Sequence, residues 1–154
     1  MRQLRWYFAA PVLALSACAG GNQPGPPFQA LAATDVLMES LIEPNADVIW
    51  LSVGTIVSAA GEEHIRPNTE EEWTKVRNAA VAVSEAGNLL MMRPRARDGD
   101  EWMRLSKAMV ETGAEARKAA EAKDPDAVFE AGAQIYAVCS NCHAKYDPSI
   151  SRVK

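Results

Sequence analysis

The chain has 154 residues, 48% of them hydrophobic and only 6% aromatic, and a formal net charge of −4. That length holds one domain with a real core and leaves little room for a second. Acidic and basic residues are mixed along it, which argues against a nucleic-acid partner, and its abundant alanine favours closely packed helices over a β-sandwich.

In chain order, Arg2 and Arg5 precede an apolar run from Trp6 to Leu15 that ends in small residues. Such a run is a secretory signal, too short to span a membrane. Its end, Leu15-Ser16-Ala17-Cys18, resembles the lipobox of bacterial lipoproteins, which implies cleavage before Cys18 and a diacylglycerol on its sulfur. Ordinary cleavage near Ala17 or Ala19 is the alternative. The stretch from Ala19 to Pro27 is rich in glycine and proline, has no periodicity, and reads as a tether. The chain therefore divides into a signal (1–17), a lipidated cysteine with its tether (18–31) and a folded domain (32–154). Ala19 resembles the residue that follows the cysteine in outer-membrane lipoproteins. The expected location is the periplasmic side of a bacterial membrane, the outer rather than the inner, or the soluble periplasm if Cys18 carries no lipid.

Four helical segments follow, and no stretch shows a competing strand pattern. The first is expected from about Thr34 to Ala60, kinked or broken after Glu43 because Pro44 lies inside it. The second opens on a capping box, Thr69 with Glu72, and ends by Arg93 before Pro94. The third starts at Asp98 or Asp100 and runs to about Lys123; the fourth begins at Asp124-Pro125. Apolar positions repeat at 3-4 spacing in three of them: Trp73, Val76, Ala80, Val83, Gly87, Leu90; Trp102, Leu105, Met109, Thr112, Ala116, Ala119; and Val128, Ala131, Ile135, Val138, Cys142. These are seams of an all-α, antiparallel up-down-up-down four-helix bundle. Gly54, Gly87, Gly113 and Gly132, one to each expected helix, mark close approach to a neighbour or to a flat cofactor, or are simply tolerated.

The last helix carries Cys139-Ser140-Asn141-Cys142-His143. A structural zinc needs four ligands, and His64 is the one other histidine. A thiol redox pair normally sits at a helix start, where the dipole lowers a thiol pKa; this one is at a helix end. C-x-x-C-H is the c-type haem attachment pattern. At positions i, i+3 and i+4, Cys139, Cys142 and His143 share one helix face, so two thiols can bind the haem vinyl groups while the imidazole reaches the iron. Covalent haem meets each constraint, with zinc or thiol chemistry as the other readings.

An exported four-helix bundle with C-x-x-C-H at the end of its last helix resembles the class II cytochromes c, the cytochrome c′ and c-556 type, over about Ala32 to Tyr146. The resemblance is specific at the motif and architectural elsewhere; the lipoprotein-type signal and the break near Pro44 depart from it. It implies one haem c near the C-terminal end of the bundle, with Cys139 and Cys142 as thioethers and His143 as proximal ligand. Up-down connections place Met38, Met91, Met92 and Met103 at the same end, and His64 at the other, roughly 35 Å away. The six-coordinate members place their distal methionine in the first helix, which makes Met38 the expected distal ligand, with Met91 and Met92 as rivals from the same end. Core filling is the ordinary role of such a methionine. Arg93, Arg95 and Arg97 cluster in the loop at that end, expected to be solvated, with pairing to haem propionates or docking of an acidic redox partner as the alternative. Trp50, Trp73 and Trp102 are expected in the core, with contact to the haem a second role for Trp102. No acid–base pair or activated nucleophile is visible, so enzyme activity is not expected. The implied function is a periplasm-facing monohaem carrier of single electrons. The alternatives are a five-coordinate protein binding nitric oxide or carbon monoxide, and an electron-transfer subunit of a membrane dehydrogenase. Expected partners are an unidentified redox protein, the membrane through the lipid, and a second copy of the chain, since many cytochromes c′ are dimers.

Overall fold

The computed structural model describes residues 28–147. The export signal, Cys18 and most of the tether fall outside the described residues. The described chain is mostly helical with one small sheet: α1 (Thr34–Leu37), a π-helical segment (Met38–Ile42), α2 (Glu43–Leu51), strands β1 (Gly54–Ser58) and β2 (Gly61–Ile65), then α3 (Glu70–Met91), α4 (Glu101–Ala122) and α5 (Pro125–Tyr146). This composition is compatible with a helical bundle.

The first helical stretch breaks where proline requires it. Pro44 has no N–H, and its ring conflicts with the carbonyl four residues earlier. The chain answers by widening to π register over Met38–Ile42. Side chains take up backbone carbonyls nearby: Ser40 Oγ donates to Val36 O at 2.5 Å and Asn45 Nδ2 to Leu41 O at 2.7 Å.

Two expectations need correction here. The first helix stops at Leu51 rather than Ala60, and an antiparallel hairpin follows, pairing Ile56 with Glu63 and Thr55 with His64. The β-branched run Thr55-Ile56-Val57 favours extended backbone. Gly61, at φ 127°, takes a left-handed conformation costly for other residues. The hairpin buries neither face, Val57 being 73% exposed, so no alternating pattern is written into it. Gly54 accordingly belongs to a strand, not a helix.

The later helices follow their caps. Thr69 Oγ1 accepts from Glu72 N at 3.2 Å, and the Glu72 carboxylate accepts from the N–H groups of Asn68 and Thr69. Those backbone bonds hold Glu72 below its ordinary value. Lys123 closes α4 in the left-handed region, φ 55°, with Lys123 N and Asp124 N bonded back to Ala120 O and Ala119 O.

Helices α3 and α4 make the closest contact. A Cβ on Gly87 would lie 2.7 Å from Ser106 O and from Val110 Cγ2, and one on Gly113 would lie 2.7 Å from Ser84 N. Ser84 Oγ donates to Val110 O across the same contact at 2.8 Å. These two glycines thus serve helix–helix approach. Trp102 Nε1, at the start of α4, donates to Leu90 O near the end of α3, 2.8 Å; Lys123 pairs with Glu70 at the opposite end. Seam residues Trp73, Val76, Ala80, Val83 and Leu90 of α3, and Trp102, Met109 and Ala116 of α4, are buried together with Ile42, Ala46 and Ile49 of the first helical stretch.

Gly87→Ala and Gly113→Ala should each destabilise the fold by about 1–3 kcal/mol, the overpacking cost exceeding the helix-propensity gain. Gly99, where a Cβ meets nothing within 4 Å, is the control: Gly99→Ala should leave the urea midpoint nearly unchanged.

Candidate functional site

Asp124 starts α5, its Oδ1 accepting from Asp126 N and Ala127 N at 3.1 and 3.0 Å, with Pro125 in the first turn. The helix then runs unbroken to Tyr146, so Cys139, Cys142 and His143 all lie within it and share one face. Burial along this seam is graded. Val128, Ala131 and Ile135 are buried, whereas Val138, Cys139, Cys142, His143 and Tyr146 are half-buried. The cause is the set of neighbours. Helix α5 packs along α4 and on α2, but neither α1 nor the π segment packs extensively on it. The contact with α2 centres on Gly132, whose carbonyl accepts from Trp50 Nε1 at 2.9 Å. Beyond it the seam is half open, at the cysteine motif.

The same end is tied together by other groups. Tyr146 donates its hydroxyl to Asp98 Oδ2, while Asp98 Oδ1 accepts from Trp102 N at 2.9 Å and Asp100 N at 3.0 Å. The Tyr146 ring meets the Trp102 ring edge-on, 5.0 Å between centroids. Arg95 is buried, correcting the expectation of a wholly solvated arginine loop. Its Nε donates to Ala32 O and its Nη1 to Leu89 O, both at 3.1 Å. Arg93 and Arg97 are exposed, with the Arg97 guanidinium 6.0 Å from the Trp102 ring centre.

Burial pushes the Cys139 thiol up to about 11, with Cys142 adding to the rise; burial and then Glu101 raise Cys142. These are poor thiolates, the reverse of what an exchange-active pair needs. Among the described residues no group of three or more His, Cys, Asp or Glu side chains is placed to hold a metal ion. His64 is in β2, its Nδ1 at 3.1 Å from Thr55 Oγ1, and the hairpin leads into the start of α3. That start is about 33 Å along the helix from Met91.

The other expected residues are distributed as follows. Met38 opens the π segment and packs half-buried against the same core as Val138, Cys139 and Tyr146; Met103 does likewise. Met91 and Met92 are half-buried at the end of α3. Trp73 and Trp102 are buried, and Trp50 is half-buried against Gly132 and Tyr136. Cys18 lies outside the described residues. An apolar recess of about 250 Å³ lies between α2 and α5, lined by Trp50, Phe129, Gly132 and Tyr136, and does not include the motif. Asp98 and Tyr146 are the functional-end residues the sequence reading missed. The available signal was Tyr146 itself, three residues after His143 and hence on the same face. Searches against family models, curated proteins and solved structures find no match for this chain.

The Asp98–Tyr146 bond should show in pH dependence. Partial burial and then Asp98 raise Tyr146 from 10.0 to about 12. The Tyr146 hydroxyl and then the Trp102 N–H lower Asp98 from its ordinary 3.8. A raised phenol stabilises fully below its unfolded value and loses that contribution as pH climbs toward 12. A lowered carboxylate stabilises above its unfolded value and loses that as pH falls through the lowered one. The stability gap between the parent and Tyr146→Phe should be widest between these limits and close at both extremes. A gap flat with pH would show that the bond contributes nothing.

Proposed function

We propose that the chain is an exported, lipid-anchored monohaem c-type cytochrome, an antiparallel up-down-up-down four-helix bundle that passes single electrons. The observation that carries the reading is the placement of Cys139, Cys142 and His143 on one face of α5, on the stretch of its seam that the rest of the fold leaves half open. Cys139 and Cys142 would hold the haem through thioethers, and His143 would supply the imidazole ligand. Haem, when bound, supplies the one-electron iron couple.

The remaining residues of that end bind, orient and exclude water. Ile135, Trp102 and Leu90 belong to the buried core against which Val138, Cys139 and Tyr146 pack. The Asp98–Tyr146 bond and the Trp102 contact fix the turn of α5 that carries His143. A fixed imidazole lowers the reorganisation that accompanies electron transfer. Met38 is the proposed distal ligand, supported by its half-buried place on a π segment, a feature often found at functional sites. Methionine ligation, together with His143, would raise the reduction potential of a bound haem and suit a carrier.

The test is the visible spectrum of the full chain expressed with export and c-type maturation. The reading predicts low-spin ferric and ferrous spectra with a methionine-to-iron charge-transfer band, and a change to high spin in Met38→Ala. Cys139→Ser/Cys142→Ser should lose covalently held colour altogether. High-spin parent spectra that shift on adding nitric oxide would reject the carrier and favour a gas-binding protein. A chain that matures without covalent haem would reject the cytochrome reading.

A further inference from the structure

The polypeptide enters the fold at the end that carries the cysteine motif. Buried Arg95 bonds Ala32 O to that end, and three residues later Asp98 bonds Tyr146. Just before Ala32, Leu31 is 91% exposed and Phe28 81% exposed, so the described fold covers neither. Arg93 and Arg97 flank Arg95 two residues to either side; both are exposed, and among the described residues neither is in an ion pair. Large apolar side chains at the same end of a fold as exposed cations are the makings of a bilayer contact. Asp35, Asp98 and Asp100 are exposed at the same end, so the apolar pair carries more of the contact than the charge does.

The occupant follows from the chain outside the described residues. Phe28 is ten residues after Cys18. At no more than about 3.6 Å per residue, a lipid on Cys18 keeps Phe28 within about 36 Å of the membrane surface. Tethering at that range converts even a weak contact into a populated one.

We propose that Phe28, Leu31, Arg93 and Arg97 form a contact surface for an anionic phospholipid bilayer, which seats the motif end of the fold toward the membrane holding the chain. The inference rests on the lipid proposed for Cys18, not on the haem. A redox donor or acceptor of that membrane then meets the end carrying Cys139, Cys142 and His143.

The experiment is hydroxyl-radical footprinting of the lipidated full chain in phosphatidylethanolamine–phosphatidylglycerol vesicles, with matched residues as internal references. Phe129 is 61% exposed and Leu51 75% exposed, so by exposure alone Phe28 and Leu31 should oxidise at least as fast as they do. With the bilayer contact, Phe28 and Leu31 should instead oxidise about fivefold more slowly than their references. Arg93→Gln/Arg97→Gln, raised salt or phosphatidylcholine vesicles should each restore part of the difference. Phe28 oxidising as fast as Phe129 on anionic vesicles overturns the surface. Protection equal on anionic and neutral vesicles also overturns it, because the two arginines then have no part in it. The same digest reports whether Cys18 is lipidated: an unmodified Cys18 removes the anchor, while a lipidated Cys18 with unprotected Phe28 removes only this surface. Haem absorbance, read before digestion, is independent of both.

Discussion

Helices α3 and α4 lie against each other only because neither Gly87 nor Gly113 has a side chain where they meet. At 2.7 Å, an added Cβ would strike backbone on the facing helix at both points. The approach also brings Ser84 Oγ onto Val110 O, so a side-chain donor is satisfied in the contact. The other elements lean on this pair. The first helical stretch packs against α3, and α5 packs along α4. A wider α3–α4 spacing would separate Trp102 from Leu90 O at one end and Lys123 from Glu70 at the other. The cost of the glycines, about 1 kcal/mol each in helix propensity, is offset by the burial that close packing permits.

The graded burial of α5 turns this frame into a site. In its first half Val128, Ala131 and Ile135 are buried, with α2 meeting it around Gly132; its last turns are half-buried, held to α4 by the Tyr146–Trp102 ring contact. Two thiols and an imidazole fall on that half-open stretch. They sit over apolar side chains that raise the thiol pKa values, so they are poor free nucleophiles at neutral pH. What they offer is a one-sided, oriented set of sulfur and nitrogen on a rigid helix, anchored at its last turn by Asp98 and Tyr146. In the proposed reading that set holds a prosthetic group added once during maturation.

The helices from Glu70 onward were legible because their signals are local and redundant. Thr69 with Glu72, Asp124 with Pro125, and the 3-4 spacing of Trp73, Val76, Ala80 and Val83 each point to the same boundaries. The hairpin was hidden for a physical reason. Ile56, Val57 and Ile65 are exposed on a two-stranded ribbon, so no buried face imposes a period of two. The π segment was foreshadowed by Pro44, although a proline says that a helix must yield and not how. Arg95 could not be told from Arg93 and Arg97, because its burial depends on the carbonyls of Ala32 and Leu89, sixty-three and six residues away. The motif Cys139, Cys142, His143 was legible in spacing, while the Asp98–Tyr146 bond that steadies it joins residues forty-eight apart.

The central claim is that Cys139 and Cys142 carry a covalent haem, and mass spectrometry of the exported, matured chain tests it most directly. The account predicts that the proteolytic peptide spanning Cys139 to His143 is heavier by one haem, with neither cysteine open to alkylation. A peptide of unmodified mass, with both thiols free or joined to each other, would contradict it.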